Sequence, residues 1–195
     1  MRRAVWKTVL PFESHLWYTI RKVMDMQFNP FVLDRMDRQV PVLIEPMTRA
    51  DADTTQLPPA WQTSWTSEYL MADRFEKYVA KVNGELIALG AYEVLAHSLV
   101  VHIVYMEARP ESNPAMDGGE PAYRGIGRLM IAYGIKLSID NGFAGDVVLK
   151  AKTTRLAKHY EEDFGAVRLP VFGSSAPRYL IADEAAKRIF FAYLT

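Results

Sequence analysis

Ala122-Tyr123-Arg124-Gly125-Ile126-Gly127-Arg128-Leu129-Met130-Ile131 joins a glycine-rich turn to an apolar helical pattern. Ile126, Leu129, Met130, Tyr133 and Leu137 recur on one helical face, and Asn141-Gly142 supplies the stop, so the spacing predicts a helix over 125–141. The first N–H groups of such a helix have no intrahelical acceptor and carry the positive end of its dipole, which suits an anion. Gly125 and Gly127 let the backbone approach a pyrophosphate, and Arg124 and Arg128 can add charge-assisted bonds. A Gly-x-Gly turn taken alone reads equally well as a plain helix start. It lacks the Gly-Lys-Ser/Thr ending of a P-loop, and Leu129 and Met130 stand where a dinucleotide fold needs a third glycine.

Upstream, Lys77–Val82 alternates, Asn83-Gly84 follows, and Glu85–Tyr92 forms a second apolar run, which is the pattern of a tight hairpin. Leu99–Glu107 is nearly all apolar, as a central strand would be, and Pro110 closes it before a loop over 110–122. Downstream, Asp146–Ala151 reads as a strand, Thr153 opens a helix to Phe164, and Gly165 stops it. Strands at 167–172 and 178–181 precede a helix at 184–193 capped by Asp183. This order predicts a mixed sheet flanked by helices in an α/β or α+β domain.

Toward the N-terminus, Val40–Ile44 reads as a first strand, 45–66 as loop, and Trp61, Trp65 and Tyr69 as one face of a short helix. Residues 1–39 read as an N-terminal helical extension packing on the core or a partner subunit. Leu16, Ile20, Val23 and Met24 form its apolar stripe within an amphipathic helix over 14–26, and residues 40–195 form the main domain. The chain has 195 residues, half of them apolar, enough for a sizeable core. Its 23 Lys and Arg balance 23 Asp and Glu, so a nucleic-acid partner held by phosphate neutralisation is disfavoured. Cys is absent, which removes disulfides, thiolate metal sites and a cysteine acyl-enzyme, and the expected compartment is a reducing cytoplasm. Neither a signal peptide nor a membrane span is read, and four dispersed His predict no metal site.

Ala122–Ile131 resembles motif A of the GNAT superfamily of N-acetyltransferases, Gln/Arg-x-x-Gly-x-Gly/Ala followed by an apolar helix. Leu149-Lys150-Ala151, then Ala157-Lys158-His159-Tyr160, then Phe164-Gly165-Ala166, is similar to the family's motif B. The Asn83-Gly84 hairpin and the strand ending at Glu107 stand where that family has its second to fourth strands, so the resemblance spans roughly residues 76–170. Three departures accompany it. Ala122 replaces Gln/Arg, Thr153 stands where Asn is frequent, and Tyr160 lies one residue farther from Gly165 than usual.

The resemblance implies a splayed sheet, acetyl-CoA as donor, and direct attack of an amine on the thioester in a ternary complex. It assigns Tyr105, Met106, Tyr123, Arg124, Gly125, Ile126, Gly127, Arg128 and Thr153 to the cofactor, with a bulge N–H in the fourth strand as oxyanion donor. Glu107 becomes the general-base candidate and Tyr160 the general acid, against readings of Glu107 as a solvated strand end and Tyr160 as a core aromatic. Glu93 and His159 are second choices, His102 reads as a half-buried sheet residue, and Glu161-Glu162-Asp163 as a solvated helix end. The acceptor is a small-molecule amine or a protein amino group, with a homodimer compatible. A non-catalytic acyl-CoA sensor or scaffold and a toxin-like enzyme acetylating aminoacyl-tRNA are the competing functions.

Overall fold

The computed structural model describes residues 27–113, 119–170 and 176–195. The elements are β1 (Phe31–Leu33), β2 (Gln39–Pro41), β3 (Leu43–Pro46), α1 (Arg49–Thr54), α2 (Glu68–Met71), β4 (Glu76–Val82), β5 (Glu85–Leu95) and β6 (Val100–Ala108). They continue with α3 (Ile126–Asp140), β7 (Val147–Lys150), α4 (Thr154–Phe164), β8 (Val167–Arg168), β9 (Arg178–Ile181) and α5 (Asp183–Phe191). Seven strands form one sheet in the order β3-β4-β5-β6-β7-β9-β8, antiparallel except for the parallel pair β6–β7. β1 and β2 form a separate antiparallel pair. The mixed sheet expected from the element order is present, and Asn83 and Gly84 take φ of 51° and 83°, as a primed turn requires.

A single extra residue in β6 decides which way its side chains point. Tyr92 pairs with Ile103 but Ala91 pairs with Tyr105, so Val104 bulges out of the ladder. Because side chains alternate with period two, the bulge inverts the parity of everything after it. Val101 and Ile103 face the core under α3, and beyond the bulge Met106 and Ala108 rejoin that face. Val104 and Tyr105 pack instead against the smaller cluster of Trp65, Leu70, Val79, Leu89 and Ala91 on the opposite side. Without the bulge, Glu107 would point at α3. With it, Glu107 points at Trp65.

The larger cluster joins Tyr92, Ile103, Leu149, Tyr179 and Ile181 of the sheet to Leu129, Met130 and Ile135 of α3 and to Tyr160 and Phe164 of α4. Gly90 makes room there, since a Cβ on it would meet Met130 and Tyr92 side-chain atoms at 2.7 Å. The smaller cluster is built on Trp65, which is fully buried.

Several local expectations need correction. Val40–Ile44 is not one strand: it breaks at Val42, whose N–H bonds to the Pro30 carbonyl, and its halves join different sheets. The 45–66 loop contains α1, started by a capping box in which Thr48 and Asp51 satisfy each other's backbone N–H groups. Trp61, Trp65 and Tyr69 do not share a helix, since only Glu68–Met71 is helical and 61–67 is irregular. Ala182, not Asp183, caps α5, and Asp183 lies in its first turn. Within the 1–39 segment, the residues from Gln27 onward hold the β1–β2 hairpin and no helix. The helix expected over 14–26 and the strand end at 171–172 lie outside the described residues. Among the described residues no helix is long and apolar enough to cross a membrane.

Candidate active site

β6 and β7 pair only over Val101–Ile103 and Val147–Leu149. β6 then runs on to Ala108 while β7 ends at Lys150, so the strands part and alternate peptide groups of β6 face the gap instead of a neighbouring strand. A cleft of about 950 Å³ opens there. Residues 103–108 of β6, the 123–128 loop, and Lys152, Thr153, Tyr160 and Phe164 of the β7–α4 segment line it.

The loop enters α3 through Gly125, whose φ of 85° lies in the left-handed region, and a Cβ built on Gly127 meets nothing within 4 Å. Gly127 therefore presents bare backbone to the cleft. The β1–β2 hairpin fixes this loop. Leu33 N–H donates to the Arg124 carbonyl at 3.0 Å and Arg124 N–H to the Leu33 carbonyl at 2.8 Å. On the other flank Tyr123 N–H donates to Ser112 Oγ at 3.0 Å. The Arg124 guanidinium, expected to meet phosphates, is paired with Asp37 of the hairpin, so it braces the loop and leaves the backbone N–H groups facing the cleft. Arg128 lines the cleft and reaches the Arg188 carbonyl only at 3.4 Å. The sequence carried no motif for this bracing. A hairpin remote in the chain supplies it.

Glu107 is 6% exposed, which overturns its reading as a solvated strand end. Gln62 N–H donates to its Oε1 at 2.6 Å and Trp65 Nε1–H to its Oε2 at 3.1 Å. Burial pushes its pKa above the ordinary carboxylate value, and these donors pull partly back. Thr63 adds backbone and side-chain hydrogen bonds to the same carboxylate. Gln62 and Trp65 were missed as site residues because only the bulge reveals that Glu107 points at them.

Tyr105 bonds Thr63 through its hydroxyl, and Lys152 Nζ lies 3.5 Å from its ring centroid. Met106 faces the opposite side with the α3 core. Thr153 lines the cleft, but its hydroxyl caps α4 by accepting from Leu156 N–H at 3.1 Å. Tyr160 is both core aromatic and cleft residue: it is 3% exposed, packs on Tyr179, and burial raises its pKa far above that of a free phenol. Its hydroxyl has no hydrogen-bond partner among the described residues. α4 keeps Tyr160 in the cleft and ends at its C-cap Gly165, the fifth residue beyond it. His159, exposed and bonded to Asp163, is a helix-surface residue. Half-buried His102 pairs with Glu93 at 3.5 Å, and neither residue lines the cleft. Among the described residues no cluster of His, Asp or Glu is arranged to hold a metal ion.

No protein-family model matches the sequence, and no curated protein matches it. Solved structures do match. The GNAT domain of S. lividans PAT superposes with a TM-score of 0.54 at 14% identity, over 80% of this chain and 97% of that one. The PaiA N-acetyltransferase from Thermoplasma acidophilum, in complex with coenzyme A, superposes with a TM-score of 0.53 at 12% identity, over 73% and 99%. This is the GNAT fold. The ribosomal-protein-S18-alanine N-acetyltransferase from Escherichia coli superposes with a TM-score of 0.50 at 14% identity, over 73% and 95%. The splayed strands, the bulge and the glycine loop are thus placed within a GNAT fold.

Proposed function

We propose that this chain is an N-acetyltransferase that takes acetyl-CoA into the β6–β7 gap and passes the acetyl group directly to an amine. The observation that carries the proposal is the convergence of three features on one cleft: the Gly125–Arg128 helix start, the unpaired end of β6, and the Glu107 and Tyr160 side chains. The pyrophosphate lies on the free N–H groups at the start of α3, helped by Arg128. The pantetheine arm adds a strand-like edge to β6 beyond Ile103. The PaiA neighbour, solved with coenzyme A, supports this cofactor.

The reaction follows from that placement. The amine nitrogen, deprotonated by Glu107 directly or through one water, attacks the thioester carbonyl. The oxyanion is met by a backbone N–H at the Val104 bulge, where the ladder leaves a residue unpaired. The C–S bond then breaks and the thiolate takes the Tyr160 proton, giving an amide and free coenzyme A. The elevated pKa makes Glu107 a stronger base, while for Tyr160 it keeps the hydroxyl protonated but makes it a weaker acid toward the thiolate. The chain contains no Cys, so the acetyl group passes without a cysteine intermediate. Holding the two reactants together supplies much of the rate.

The test is release of free thiol from acetyl-CoA against a panel of amines, with no protein thiol to interfere. Amine-dependent thiol release at a rate well above hydrolysis is expected. Tight cofactor binding without turnover on any amine would assign the chain to acyl-CoA sensing.

A further inference from the structure

The charges around the cleft are unevenly spent. Of its acidic lining residues, Glu162 pairs with Lys158 at 3.6 Å and Asp163 with His159, while both Glu107 oxygens accept hydrogen bonds. Lys150, Lys152 and Arg155 also line it, and none has a carboxylate partner among the described residues. Lys152 stands apart from the phosphate side. Its ammonium lies over the Tyr105 ring, and the bulge turns Tyr105 and Glu107 to the Trp65 face, away from Met106 and α3. Tyr105 and Glu107 are alternate residues of one strand, so their Cα atoms are about 7 Å apart. Lys152 thus sits over the residue two positions before Glu107 on the same face of β6.

That pairing favours an acceptor of particular charge. A polyamine or aminosugar brings several cations and would meet Lys152 as a like charge, with no unpaired described carboxylate in the cleft to compensate. A nucleic acid needs a track of cations, whereas here Glu161, Glu162 and Asp163 follow directly on the basic residues of α4. We propose that the acceptor is an amino carboxylate, a small molecule whose carboxylate pairs with Lys152 over Tyr105 while its amine lies at Glu107. This assignment rests on the acetyltransferase reading above.

Matched pairs of amino acids and their carboxamides, assayed by thiol release with acetyl-CoA and referred to the neutral-amine fraction of each, test it. The carboxylates should exceed their carboxamides in kcat/KM by about twofold to fivefold, the margin of a solvent-exposed ion pair. Lys152→Met should bring that ratio near one, and Lys152→Glu should invert it. Carboxamides or polyamines preferred by the unsubstituted protein, or a ratio unmoved by Lys152→Glu, would overturn the assignment. So would an aminoacyl-tRNA acetylated faster than every free amino acid, or a panel in which no carboxylate is turned over. The acetyl-CoA-induced rise in melting temperature, read on the same unsubstituted sample, separates the two levels. If the rise is absent, the donor reading falls and takes this proposal with it; if it is present, a flat or reversed ratio defeats the acceptor assignment alone.

Discussion

Replacing Gly127 by glutamate should abolish the stabilisation that acetyl-CoA confers while leaving the unliganded protein's melting temperature nearly unchanged. A Cβ at Gly127 meets nothing within 4 Å, so the fold tolerates the side chain. A carboxylate in the first turn of α3 even suits the helix dipole. What it cannot share is the space and the N–H groups that the proposed pyrophosphate site uses. At a hundredfold excess over Kd, a ligand that binds only the native state adds about 2.7 kcal/mol. For a chain of 195 residues that is a shift of about 5–10 °C. Gly125→Glu is the poorer probe, because Gly125 has φ of 85° and any side chain there is strained with or without ligand. A Gly127→Glu protein that keeps the full shift places the cofactor elsewhere.

Glu107→Gln should lower kcat/KM by about 10²–10⁴ and remove the acid limb of its pH profile. On the proposed mechanism the active form is the carboxylate, so activity in the parent should be lost as pH falls through a pKa raised by burial above the ordinary carboxylate value. Stability moves the other way. A carboxyl with a higher pKa folded than unfolded stabilises fully below its unfolded pKa, and that contribution fades as pH rises through the folded one. The stability of Glu107→Gln relative to the parent should therefore improve across that same interval. Gln62 N–H and Trp65 Nε1–H complicate the variant, since an amide NH₂ cannot accept from either donor. The pH profile distinguishes the roles: a residue that only anchors the 61–67 loop would lower the rate without deleting the acid limb.

The parts of this fold that were legible in the sequence are those written in local chemistry. Asn83-Gly84 set one hairpin, the Gly125–Asn141 pattern set α3, and Thr153 with Gly165 bounded α4. α1 was legible too, in Thr48 and Asp51, but Pro46, Pro58 and Pro59 among the polar residues of 45–66 favour a loop. The site was harder because its decisive event is non-local. Val101–Met106 alternates no differently because Val104 is extra, as the bulge exists only in the pairing with Ala91 and Tyr92. That one residue turns Glu107 toward Gln62 and Trp65, so the anchoring loop could not be foreseen from spacing. The same holds for Arg124, whose partner Asp37 is brought to it only by the β1–β2 hairpin. Nothing in the sequence of the 123–128 loop distinguishes an arginine that binds phosphate from one that braces the turn.

The most direct measurement is a calorimetric titration of the intact, unsubstituted chain with acetyl-CoA. The structure predicts a saturable signal with one site per chain, lost on removing the nucleotide portion of the ligand because the α3 N–H groups then have no phosphate to hold. A chain that gives no saturable heat with millimolar acetyl-CoA, or binds the isolated pantetheine arm as tightly as the whole cofactor, would contradict the assignment of the Gly125–Arg128 loop.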